Sequence, residues 1–269
     1  MKSTMTAIAA ISLALGTAAC GDSGDVETQE AASDGTISGD WIADIDSVQF
    51  ENDNRDYVLA DGTFDCRSCI PPYQTPADGE WHEVDRPGVD GVKIEVVDEN
   101  TVISATRLGE NELGTTVWKV SEDGQTLTGD FTDESGDETV TGSEAYTRTG
   151  DGPEGAHAMS GQWTNASQIE IDDAGLRFSF AVDGDQFTST SNDSRYTATL
   201  GGEPVAIEGN NAGTMVAVEE TGENAYRQTY TRDGEVVGIT EISVDGDTLS
   251  ATNSDPRDGS SVSYTAQRQ

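Results

Sequence analysis

Basic residues are scarce in this chain. Fourteen Lys and Arg stand against 51 Asp and Glu in 269 residues, for a formal net charge of −37. Only Lys2, Lys93 and Lys119 are lysines. A phosphate backbone needs cations to displace its counterions, so this balance excludes nucleic-acid binding. It also excludes a polybasic hold on anionic lipid headgroups. No apolar run reaches the roughly 20 residues of a spanning helix. Histidine is limited to His82 and His157. There is no G-x-S-x-G nucleophile motif and no D-x-[DN]-x-[DN]-G calcium loop. The sequence offers no catalytic residue, no metal ligand set and no cofactor motif, and it reads as a non-enzyme. Gly150-Asp151-Gly152-Pro153-Glu154-Gly155 matches G-x-G-x-x-G only in letters. A dinucleotide loop needs a helix behind it and no acid beside the pyrophosphate.

What is present begins with an address. Lys2 precedes a short apolar stretch, Ala7 to Leu15, and small residues lead into Cys20. A short apolar region before small residues reads as a secretory signal, here residues 1–19. Ending on Cys, it resembles a bacterial lipoprotein signal, which implies lipidation of Cys20 and a membrane partner through that anchor. Gly21 follows the Cys, which favours an outer-membrane location, facing the periplasm or the cell surface. Residues 20–36 are rich in Gly, Ser, Asp and Glu and read as a disordered acidic tether.

With Cys20 set aside, Cys66 and Cys69 remain as C-x-x-C. An exported compartment is oxidising, so a disulfide is the default. A redox-active pair or a metal site are the alternatives.

Ser38-Gly39-Asp40-Trp41 recurs as Ser160-Gly161-Gln162-Trp163, and Ser121-Glu122-Asp123-Gly124-Gln125-Thr126-Leu127 as Ser243-Val244-Asp245-Gly246-Asp247-Thr248-Leu249. Both hold one offset, so the chain is a duplication. Repeat one covers 37–148, repeat two 159–269, and 149–158 form a linker rich in Gly. Runs such as Thr101 to Thr106 and Thr115 to Val120 are rich in β-branched residues. Asp-Gly pairs at 61–62, 78–79, 90–91, 123–124, 183–184, 233–234 and 245–246 suit tight hairpins. The expected fold is all-β: two tandem antiparallel barrels of eight strands each, or two β-sandwich repeats.

Trp41 and Trp163 each lie on the first strand of a repeat, and Arg148 and Arg268 on the last. This resembles the lipocalin and calycin pattern, in which a first-strand Trp is capped by a last-strand Arg. The resemblance implies that these four residues close the barrels through cation–π contacts. The signal and Cys66-x-x-Cys69-Ile70-Pro71-Pro72-Tyr73, Ala77-Asp78-Gly79-Glu80-Trp81-His82 and Gly152-Pro153-Glu154-Gly155-Ala156-His157 also resemble an uncharacterised family of two-repeat lipoproteins of Gram-negative envelopes. So does the Ser-x-Asp-Gly-x-Thr-Leu signature of both repeats. That likeness implies the architecture and supplies no catalytic residues.

The expected function is a non-enzymatic binding module for a small hydrophobic ligand. The alternatives are an acidic scaffold for a cationic protein or envelope component, and a C-x-x-C stress sensor.

Overall fold

The computed structural model describes residues 36–209 and 212–269. The expected signal peptide, Cys20 and nearly all of the tether lie outside these residues. The first strands are β1 (Gly39–Ala43), β2 (Gln49–Glu51), β3 (Asn54–Ala60), β4 (Thr63–Cys66), β5 (Tyr73–Pro76) and β6 (Trp81–Arg86). Then come β7 (Val89–Val96), β8 (Thr101–Leu108), β9 (Asn111–Val120), β10 (Thr126–Asp133), β11 (Val140–Asp151) and β12 (Gly161–Ile171). The second half holds β13 (Arg177–Asp183), β14 (Gln186–Thr190), β15 (Arg195–Thr199), β16 (Val205–Ala206) and β17 (Met215–Gly222). It ends with β18 (Ala225–Arg232), β19 (Glu235–Asp245), β20 (Thr248–Asp255) and β21 (Ser260–Arg268).

The strands form two nearly closed antiparallel barrels. One runs β5-β4-β3-β12-β11-β10-β9-β8-β7-β6. The other runs β15-β14-β13-β1-β21-β20-β19-β18-β17-β16, with β2 added against β21. The all-β class and the two-barrel architecture match the expectation. The strand number does not: each barrel has ten, not eight. The added strands are short pieces such as β5 and β16, which carry too few residues to show alternation.

The duplication and the barrels divide the chain differently. β1, from repeat one, is paired on both sides within the second barrel, with Trp41 opposite Phe178 and Arg268. β12, from repeat two, is paired on both sides within the first, with Trp163 opposite Arg55 and Arg148. The first barrel is therefore residues 54–171, and the second is 177–268 with 39–51. The repeats at 37–148 and 159–269 mark the duplicated unit, and the two have exchanged their first strands. The expected linker at 149–158 begins inside β11, which continues to Asp151.

Most Asp-Gly turns are where sequence placed them, with Gly62, Gly124, Gly184, Gly234 and Gly246 at positive φ. Asp90-Gly91 is an exception. It lies within β7, and the turn falls at Gly88 instead. Gly91 has a different duty there: the Arg107 side chain lies across it, and a Cβ would come within 2.5 Å of Arg107 Nε.

Each barrel has its own apolar core. The first packs Tyr57, Leu59, Phe64, Ile94, Trp118 and Trp163. The second packs Trp41, Phe178, Phe187, Tyr226, Ile242 and Leu249.

Candidate functional site

The four expected closure residues do meet, but crosswise between repeats. The Arg268 guanidinium lies 4.3 Å from the Trp41 ring centroid, and that of Arg148 lies 3.9 Å from Trp163. The same clasp is built twice. Trp41 Nε1 donates to Ile37 O at 2.9 Å, and Trp163 Nε1 to Met159 O at 3.0 Å. Arg268 donates to the carbonyls of Ser38 and Thr36. Arg148 donates to Ser160 O at 2.8 Å and Ala158 O at 2.6 Å. Both Trp side chains are fully buried. Gly39 and Gly161 have φ of 141° and 139°, and a Cβ on either would overlap the Arg Nη1. The Ser-Gly-x-Trp motif is thus the imprint of the clasp.

Cys66 and Cys69 form a disulfide with Cα atoms 5.5 Å apart. Each cysteine is 1% exposed and belongs to the first core. A thiolate reaches this bond only if the barrel opens.

A buried charged network in the first barrel had no sequence signal. Arg55 and Asp53 are each 3% exposed and pair at 2.8 Å. Arg55 Nη2 donates to Tyr146 Oη at 2.8 Å, and Tyr146 Oη donates to Glu144 at 2.7 Å. Asn165 Nδ2 completes Asp53 at 2.9 Å. Burial pushes the Glu144 carboxyl above its ordinary range, against the pull of Arg55 and the Tyr146 hydroxyl. Burial also opposes the Arg55 charge, but Tyr146, Tyr57, Asp53 and Glu144 outweigh it. The register equates Asp53, Arg55, Glu144 and Tyr146 with Leu176, Phe178, Tyr264 and Ala266 of the second barrel. One barrel closes this end with ions and the other with apolar packing.

The two histidines serve local structure. His157 Nδ1 accepts from Met159 N–H at 3.1 Å, which assigns the ring proton to Nε2, 2.7 Å from Asp98 O. His82 Nε2 lies 2.8 Å from Asp78, whose carboxyl is held below its usual range by that bond and by Glu80 N–H. Among the described residues, no three ligand-type side chains converge on a metal position.

The void inside the first barrel, between Tyr57, Phe64, Tyr73 and Trp118, measures about 10 Å³, room for one water. A groove of about 630 Å³ runs over the outer wall of β9–β12. Asp130, Glu170 and Asp172 line it beside Thr132, Thr141 and Ser143, with Val117, Ile171 and the buried Phe131 as its apolar lining. No basic residue borders it. Thr141 donates to Asp172 from Oγ1 at 2.6 Å and from N at 3.0 Å. These bonds hold the Asp172 carboxyl below its ordinary range, so it stays ionised.

The chain matches no protein family, curated protein or solved structure.

Proposed function

We propose that this protein is a lipid-anchored envelope component that acts as a non-enzymatic binding module through its acidic exterior, with a cationic protein or envelope polymer as partner. One observation carries the reading. The void inside the first barrel measures about 10 Å³, whereas the groove over β9–β12 is open and lined by three carboxylates without a basic residue. An apolar ligand of ordinary size needs some hundreds of Å³. The sealed disulfide likewise weighs against thiol exchange as the working step. The lipoprotein-like signal read from residues 1–19, with Cys20 next to it, supports the anchored location. Steering by a surface of this charge raises the encounter rate with cationic partners and falls with salt.

The test is a titration of the mature chain, with Cys20→Ser for solubility, against a basic globular protein at rising salt. Binding is expected to weaken steeply with ionic strength. The triple variant Asp130→Asn, Glu170→Gln, Asp172→Asn is expected to weaken it about tenfold at low salt. Salt-independent binding, or a small lipid retained in native mass spectrometry, would overturn the reading.

A further inference from the structure

The two barrels close their last seam differently. In the second barrel, β15 meets the segment after β16 through a backbone bridge. Arg195 N–H donates to Glu208 O at 3.0 Å, and Glu208 N–H donates to Arg195 O at 2.8 Å. In the first barrel the equivalent seam separates β5 from β6. Tyr73 sits opposite Cys66 as Tyr196 sits opposite Ser189, so Pro72 stands where Arg195 does. Proline has no N–H and cannot form that bridge. Among the described residues, β6 therefore ends its sheet, paired with β7. The gap is plugged by side chains instead, with the Arg86 guanidinium 4.7 Å from the Tyr73 ring centroid. Thr75 on β5 is 3% exposed, and its Oγ1 has no hydrogen-bond partner among the described residues.

An unpaired strand edge is a template for strand addition. The charges on this edge select what can be added. Glu83 and Asp85 are exposed, and the half-buried Val84 lies between them and packs on the first core. A second copy of this chain would bring the same carboxylates and be repelled. We propose that the free edge of β6 binds an extended basic peptide as an added strand. Its Lys or Arg side chains face Glu83 and Asp85, and its intervening small apolar residues face Val84. This surface is separate from the β9–β12 groove and goes beyond the reading that rests on it.

The experiment uses the full mature chain and a blocked eight-residue peptide alternating Lys and Val. A second peptide carries the same side chains with N-methyl groups on alternate backbone nitrogens. Strand addition needs the backbone, so N-methylation is expected to weaken binding at least about tenfold. Amides of β6 are expected to gain exchange protection with the unmodified peptide only. Equal binding of the two peptides would reduce the contact to charge alone and overturn the proposal. Pro72→Arg supplies the missing N–H. Where its residue-72 amide is protected, showing that the seam has closed, peptide binding is expected to be lost. Retained binding to that closed variant would also overturn the proposal. The groove variants leave this binding unchanged, so failure here is distinct from failure there.

Discussion

Arg268 stacks on Trp41, joining the last strand of the chain to its first, while Arg148 and Trp163 make the same contact between the strands that meet in mid-chain. The two repeats are thus interlocked, and the first barrel, continuous from β3 to β12, is inserted between β2 and β13 of the second. The chain crosses between the barrels at residues 52–53 and again at 172–176.

Interlocking is testable by a cut. A protease site placed at 153–156 in the full chain separates β1–β11 from β12–β21 without touching either sheet. After cleavage of the folded protein, the two fragments are expected to elute as one species and to part only on denaturation. Two separately eluting folded fragments would show that the strands are not exchanged.

The Arg clasp predicts a stability loss. Arg148 donates to three backbone carbonyls, those of Gly124, Ala158 and Ser160, besides covering Trp163. Arg148→Ala is expected to lower stability by about 3 kcal/mol, from charged hydrogen bonds and the ring contact together. Arg148→Lys keeps the charge but not the fork, and recovers less than half of it. Urea denaturation measures both.

The second barrel supplies the control for the buried network of the first. Arg55→Ala leaves Asp53 buried and unpaired, at a cost of about 3–5 kcal/mol. The combined change Asp53→Leu, Arg55→Phe, Glu144→Tyr, Tyr146→Ala copies the apolar closure and is expected to be neutral or stabilising. A combined variant weaker than Arg55→Ala would show that the backbone of this barrel requires the ions.

Glu144 sets a pH dependence of defined sign. Its folded carboxyl is held above the ordinary range by burial, so the folded state takes up a proton before the unfolded state does. The stabilisation from that proton is full below the unfolded value and is lost as pH rises through the folded one. Glu144→Gln removes this dependence. Its stability relative to wild type is therefore expected to be higher at pH 7 than at pH 4. The reverse order would contradict the assignment.

The disulfide is expected to resist reductant in the folded protein. With both cysteines 1% exposed, reduction proceeds only through opening. The rate of thiol release under dithiothreitol is then expected to follow unfolding, rising with urea. Fast release in native buffer would mean a route to the sulfurs that the fold does not provide.

Much of this architecture was legible from residues. Runs of β-branched residues, Asp-Gly hairpins and a shared offset led to two all-β repeats, and Gly-x-Trp with a terminal Arg marked the closing pair. The exchange was not legible, because either Trp can meet either Arg without a change in local sequence. The offset itself drifts along the chain, and the hairpin after β9 and β19 is one example. Val120 N–H donates to Asn100 O, and Val244 N–H donates to Asn224 O, so Val244 holds the place that a uniform offset of the repeats assigns to Ile242. The copies differ in hairpin length there. Asp53, Arg55 and Glu144 were invisible for a simpler reason: charged residues on alternating strands read as solvent-facing. Only the fold reveals that they satisfy one another inside. The free edge at β6 was written in Pro71-Pro72, but its meaning appears only beside Arg195.

Gln269 N–H donates to Asp40 O at 2.9 Å, continuing the antiparallel pairing of β1 with β21. The two ends of the folded chain therefore leave the second barrel side by side, at the rim held by Trp41. A short bridge from residue 269 to residue 36 would make the protein a closed ring without disturbing a strand. A cargo joined after residue 269 would hang beside residue 36, at the same rim. A load applied between the two ends would peel β1 from β21 one bond at a time, as a zipper opens, instead of shearing the whole pair at once.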